Sequence, residues 1–268
     1  MIGLALKISL LVVFLIPLMK ESEALGQAEP PGLKLTVVFN NEPCDSSLET
    51  SWGFGCVVEG LDETILFDTG GDGKILLANM DKLEIDPGVI SMVVLSHYHG
   101  DHTGGLSDFL RRNPRVAVWL PESFPDSFQA SIRSAGAEVK TVGGPTGLFD
   151  GVHSTGEMGS SIIEQSLVLD TSRGLVVITG CAHPGIAGIV RKAGRLLNKR
   201  IYLVVGGFHL NSMTADEING VIREFKEMGV QRVGATHCTG DQAIKMFRQA
   251  WGDDFVESGC GAVIELPR

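Results

Sequence analysis

A chain of 268 residues with 44% hydrophobic side chains can bury the core of one large α/β domain, and its composition excludes a disordered or fibrous protein. A formal net charge of −10 is a poor match to a nucleic-acid surface, which would show a basic stripe to neutralise phosphates, and argues against nucleic acid as a partner. Five cysteines, Cys44, Cys56, Cys181, Cys238 and Cys260, are an odd number, so at least one has no partner within the chain.

Residues 1–28 read as a segment apart from the fold. Lys7 precedes the apolar run Ile8 to Leu18, and Ser22-Glu23-Ala24 or Gly26-Gln27-Ala28 offers the small residues of a signal-peptide cleavage site. The alternative is an uncleaved anchor, with Ile2 to Met19 just spanning a bilayer and Lys7 reaching to its surface. Either reading exports the remaining domain, residues 34–267, and gives it membrane contact only through this segment.

Beyond the segment, strand-like and helix-like patterns follow in order. Leu35 to Phe39, Gly55 to Val58 and Thr64 to Phe67 read as a strand meander, followed by a helix near Lys74 to Leu83. A buried strand at Ile90 to Leu95, a short helix at Leu106 to Arg112, a strand at Val116 to Leu120 and a helix at Phe124 to Ala135 come next. The glycine-rich stretch Gly143 to Gly159 reads as a loop. Strands at Ser166 to Leu169 and Leu175 to Thr179, a helix at Ile186 to Leu197, a strand at Ile201 to Val205 and a helix at Ala215 to Met228 succeed it. Arg232 to Ala235, a helix at Gln242 to Trp251 and a strand at Ala262 to Leu266 complete the pattern. Early strands giving way to strand–helix alternation fit two sheets covered by helices better than one parallel sheet.

Chemistry concentrates in His97-Tyr98-His99-Gly100-Asp101-His102, directly after the buried run Ile90 to Leu95. Two histidines two residues apart project from one face of an extended chain, and Asp101 and His102 follow where the chain turns. Imidazole with carboxylate suits zinc, iron or manganese rather than calcium or magnesium. Further histidines, His183, His209 and His237, also fall at or just past strand ends, where loops build sites; His153 falls in the Gly143 to Gly159 loop and is read as structural. Asp68, after the strand to Phe67, is either a plain turn aspartate or the partner of a ligand imidazole. Cys181 and Cys238 lie beside the downstream histidines, which points to reduced thiols near a metal; a Cys44–Cys56 disulfide is the one pairing considered.

With Phe67-Asp68-Thr69-Gly70 upstream, the His-x-His-x-Asp-His motif resembles the metallo-β-lactamase-fold superfamily. Gly180-Cys181-Ala182-His183-Pro184-Gly185, Gly206-Gly207-Phe208-His209-Leu210 and Thr236-His237-Cys238-Thr239-Gly240 narrow the resemblance to its branch of metal-dependent hydrolases and dihydropterin-aminobenzene-phosphate synthase-like proteins. The resemblance spans roughly residues 34 to 267. It implies a four-layer αββα sandwich, with a metal site at one edge between two mixed sheets. It also implies two divalent transition-metal ions, zinc first with iron or manganese as options, held by His97, His99, Asp101, His102, His183 and His237. Asp101 would accept a proton from water, and His209 would donate to the leaving group or contact substrate. Cys181 stands where many relatives carry a bridging aspartate and is the alternate to His183. One departure is plain: the interval Ser160 to Asp170, where many relatives place another histidine ligand, has none, and Glu164 is its one acid before Asp170. Hydrolysis of an ester, lactone or phosphoester-type small molecule is the first expectation. A pterin-condensing transferase is the second, and a non-catalytic or redox iron module the third.

Overall fold

The computed structural model describes residues 32–268. The segment expected to be a signal peptide or anchor, residues 1–28, lies outside the described residues; among those described, no helix is long and apolar enough to cross a membrane.

Strands β1 (Leu33–Asn40), β2 (Phe54–Glu59) and β3 (Ile65–Phe67) form an antiparallel meander. From β3 onward the pairing becomes parallel, through β4 (Met92–Val94), β5 (Ala117–Pro121) and β6 (Glu138–Val142). The crossovers carry α1 (Gly73–Lys82), the single turn α2 (Gly100–Thr103), α3 (Leu106–Arg112) and α4 (Asp126–Ser134). A second sheet contains β7 (Thr146–Phe149), β8 (Val152–Ser154), β9 (Leu167–Thr171), β10 (Gly174–Thr179), β11 (Ile201–Gly207) and β12 (Arg232–Thr236). Helices α5 (Ile186–Leu197), α6 (Ala215–Glu227) and α7 (Asp241–Trp251) intervene, and β13 (Val263–Leu266) closes the chain beside β1. The sheet orders are β13-β1-β2-β3-β4-β5-β6 and β12-β11-β10-β9-β8-β7.

Period-two side-chain alternation explains the layering. Val37, Phe67, Val94, Val176, Ile178 and Val205 point between the sheets into one core. Their neighbours Val38, Leu66 and Val93 point outward against Leu76, Met80 and Phe109 of the first helical layer. On the other side Val177, Val204 and Val233 face Ile189, Phe225 and Phe247. Strands apolar on both faces therefore read as unbroken hydrophobic runs, and the result is the expected four-layer αββα sandwich of mixed sheets.

Three expectations need correction. The segment Gly143 to Gly159 is not a free loop: it contains the β7–β8 hairpin, turning at Asp150-Gly151, where Gly151 has φ +72°. Its strands are short, β7 has no fully buried residue, and the pair carries too few large apolar residues to show a period, although Asp-Gly is itself a hairpin signal. Edge strand β6 was missed for the same reason, since only Val142 of it is fully buried. The strand expected to reach Leu95 ends at Val94; Asp101 and His102, where the chain turns, lie on the single helical turn α2.

The candidate metal centre

Strands β3 and β4 run parallel, as do β10, β11 and β12, so their C-terminal ends gather at one edge of the sandwich. Loops leaving parallel strands at such an edge are where α/β folds assemble sites. Asp68 follows β3, His97 and His99 follow β4, His183 follows β10, His209 follows β11 and His237 follows β12. Four of these exits turn through a left-handed residue that is not glycine: Asp68 (φ 53°), Ala182 (62°), His209 (53°) and His237 (54°). Such residues cost about 1 kcal/mol or more each and cluster where a fold commits its backbone to a site.

After β4 the chain leaves its own sheet. Gln165 N–H donates to the Ser96 carbonyl at 2.9 Å, and His97 forms an isolated bridge with Glu164. This contact, rather than continued strand, brings His97 and His99 together, with His97 Nε2 3.0 Å from His99 Nδ1.

Asp68 is fully buried and takes three donors. Ser96 N–H reaches Oδ1 at 2.7 Å, while Ser96 Oγ–H and His102 Nδ1–H reach Oδ2, each at 2.7 Å. With its one proton committed to Asp68, the Ser96 hydroxyl accepts from His97 Nδ1 at 2.9 Å. His237 Nδ1 donates to Asn41 Oδ1 at 2.7 Å. Each ring thereby turns Nε2 toward the interior of the centre, which is how outer hydrogen bonds fix the tautomer of a metal ligand. Ser96 and Asn41 had no signal in the sequence, because neither residue type at those positions is distinctive. Their roles exist only in three dimensions.

Asp101 Oδ2 lies 3.5 Å from both His102 Nε2 and His237 Nε2. Burial opposes its ionisation, but the His102 and His237 bonds prevail and hold the carboxyl well below the usual carboxylate range. His102 is likewise opposed by burial, yet the charges of Asp68 and Asp101 push it up to about 10. His183 ring centroid stands 4.8 Å from that of His97 and 4.9 Å from that of His99, and its buried Nε2 has no hydrogen-bond partner. Burial, then His209, lowers His183 to about 4, so the ring is a neutral donor.

Glu164 does not substitute for the missing histidine as a ligand. Its carboxylate accepts the backbone N–H groups of Cys181 (2.9 Å), Ala182 (2.8 Å) and His183 (2.9 Å). It clamps the loop that delivers His183 beside His97. His209 is exposed on the outer side of this cluster, its centroid 4.3 Å from that of His183. A hydrogen bond with Cys238, opposed by burial, raises its pKa. His153 sits in β8, paired with Val168 and apart from these donors. All five cysteines are free, so Cys44 and Cys56 do not pair.

The donors fit divalent transition metal. Ring nitrogens, carboxylate and sulfur within 4.8 Å of one another form the groups Asp101–His102–Cys181–His237 and His97–Cys181–His183. Ligands held about 2.0–2.3 Å from a common ion have separations of this order. An orphaned buried imidazole nitrogen and two ring nitrogens facing each other are otherwise hard to account for.

The metallo-beta-lactamase superfamily profile matches residues 56–193. A 7,8-dihydropterin-6-methyl-4-(beta-D-ribofuranosyl)-aminobenzene-5'-phosphate synthase of Methanocaldococcus jannaschii is 30% identical over 253 residues, covering 77% of this chain and 86% of that protein. An atrochrysone carboxyl ACP thioesterase of Emericella nidulans is 31% identical over 137 residues, 42% of this chain and 44% of that one. Among solved structures, a metal-dependent hydrolase of the beta-lactamase superfamily superimposes with a TM-score of 0.75 at 28% identity, covering 88% of this chain and all of the other. The chain belongs to the metallo-beta-lactamase superfamily.

Proposed function

We propose that this protein is a metal-dependent hydrolase of a small-molecule ester, thioester, lactone or phosphoester. The observation that carries the reading is the convergence of buried, tautomer-fixed imidazoles on Asp101 at the edge of the sandwich. His97, His99 and His183 would hold one ion, and Asp101, His102 and His237 the other. Divalent ions at such a centre supply Lewis acidity, lowering the pKa of water from near 16 toward 7 and polarising a carbonyl or phosphoryl oxygen. Asp101, kept ionised by its two imidazole neighbours, accepts the proton of the attacking water. His209 gives a proton to the leaving group, for which its raised pKa and exposed ring suit it.

Substrate has room on two sides. A cavity of about 350 Å³ opens beside His183 and His209 over Ile186, Phe208 and Leu210. Another of about 250 Å³ adjoins His99, between Tyr98, Phe124 and Ile162. Mostly apolar walls with a few polar groups at one end suit an organic small molecule.

The likeness to the archaeal synthase favours a second reading, condensation of a pterin with an aminobenzene ribosyl phosphate. The leader-like residues 1–28 support export, which would separate the enzyme from such an intracellular intermediate. Cell fractionation, followed by a panel of phosphoesters, lactones and thioesters run beside the condensation assay, distinguishes the two. Zinc without visible absorbance supports hydrolysis, and iron with charge-transfer bands supports the redox alternative. His97→Ala is expected to lose metal and turnover together; full turnover by metal-stripped protein refutes the mechanism.

A further inference from the structure

The cavity of about 350 Å³ beside the centre is bounded by the start of α5 and the exit of β11, with His183 and His209 at one end. Its floor is Ile186, Phe208 and Leu210, all almost fully buried. Phe208 packs on Phe225 and Phe247, at centroid distances of 5.8 and 5.4 Å, which holds the floor in place. Met213, 39% exposed, adds an outer wall that is apolar and pliable. On the rim, Arg191 and Glu224 form a salt bridge of 2.6 Å, so their charges answer each other rather than those of a bound molecule.

Gly188 also lines this space, and nothing in the fold requires a glycine there. It is the third residue of α5, its φ is not left-handed, and a Cβ built on it meets no atom within 4 Å. At Gly207, by contrast, a Cβ would meet the Gly180 carbonyl oxygen at 2.5 Å. Glycine within a helix weakens it relative to alanine. A residue that lowers stability, serves no turn and avoids no clash has one remaining effect, which is to leave the cavity open.

We propose that this cavity receives the apolar leaving group of the substrate, an alkyl alcohol or thiol, and that Gly188 sets its depth. At about 30 Å³ for a water-sized group, the space takes roughly ten non-hydrogen atoms. The inference rests on the hydrolase reading above, in which His209, at one end of the cavity, protonates the leaving group. In that step the carbonyl carbon gains the water oxygen while Asp101 takes a proton from the water. The carbon's bond to the leaving oxygen or sulfur breaks, and the His209 proton passes to that atom.

The test is calorimetric binding of straight-chain alkanethiols, from ethanethiol to hexanethiol, to the zinc-loaded full chain. Wild type is expected to gain about fourfold in affinity per methylene, or roughly a hundredfold or more across the series. Gly188→Leu, which puts four carbons into the space, should shrink that gain below about tenfold. Gly188→Ala should weaken hexanethiol binding about fourfold and unfold at higher denaturant than wild type. Should Gly188→Leu fold poorly, the alanine variant alone decides. No gain with chain length in wild type, or a gain untouched by both variants, overturns the inference. Unfolding of Gly188→Ala at lower denaturant also overturns it, since the glycine would then be structural. Hydrolysis of the matching S-alkyl thioacetates, with kcat/KM climbing along the same series, tests the reading beneath. A Gly188-dependent gain in thiol binding without thioacetate turnover leaves the subsite standing and removes only the proposed activity.

Discussion

Replacing Asp68 by Asn changes the hydrogen-bond arithmetic of the centre while leaving the backbone in place, since asparagine tolerates the φ of 53° found there. Asp68 receives three donors: two at Oδ2, from Ser96 Oγ and His102 Nδ1, and one at Oδ1, from Ser96 N. If the asparagine carbonyl stays opposite Ser96 N–H, its NH₂ faces His102 Nδ1–H, donor against donor. The imidazole must then move its proton to Nε2 and turn a hydrogen rather than a lone pair toward Asp101 and Cys181. Altering the partner of a metal-ligating imidazole lowers metal affinity about 10–100-fold, or roughly 1.4–2.7 kcal/mol. Where the mismatch is not relieved, a buried unpaired donor adds about 1–3 kcal/mol of destabilisation. Competition with a chromophoric chelator gives the affinity, and denaturant unfolding of the metal-free protein gives the stability. Asp68→Asn binding zinc at wild-type strength and stoichiometry would show that Asp68 does not set the His102 tautomer.

Other perturbations read other parts of the site. His209→Gln should keep full metal content yet lower kcat by about 10²–10⁴-fold, the contribution typical of a general acid; an unchanged kcat removes His209 from proton donation. Gly207→Ala should lose about 1–3 kcal/mol of stability through overpacking, because its Cβ would sit 2.5 Å from the Gly180 carbonyl and the backbone there cannot yield. Wild-type unfolding and metal content in that variant would contradict the packing described. In the metal-free protein, full burial raises Glu164 to about 7, against the pull of its backbone N–H donors, from an ordinary value of 4.5. A raised carboxyl stabilises the fold below pH 4.5 and loses that contribution as pH climbs through 7, of order 3 kcal/mol in all. Denaturation curves of wild type and Glu164→Gln across that range should diverge with this sign, and parallel curves would refute it.

The layers and most elements were legible in the sequence because the sheets bury both faces, so runs such as Val57-Val58, Val93-Val94 and Val204-Val205 stand out against polar linkers. The histidines were legible because imidazoles bunched after a strand are rare without a purpose. What spacing could not supply was the company these residues keep. Glu164 looked like a stand-in ligand, since its side chain offers the right atoms, yet three backbone N–H groups claim it first. Asn41 and Ser96 act by holding ring protons across the fold, and Asn41 meets His237 from 196 residues away. The β7–β8 hairpin was lost because its few apolar positions give no period, and β6 because an edge strand can stay half wet.

The Glu164 clamp has a consequence for how such a centre can diversify. One carboxylate, carried on the approach to β9, holds the backbone N–H groups of Cys181, Ala182 and His183. Ala187 and Gly188, at the start of α5, line the larger cavity without taking part in that anchorage. Residues at the mouth of that cavity can therefore change without disturbing the backbone that carries Cys181 and His183.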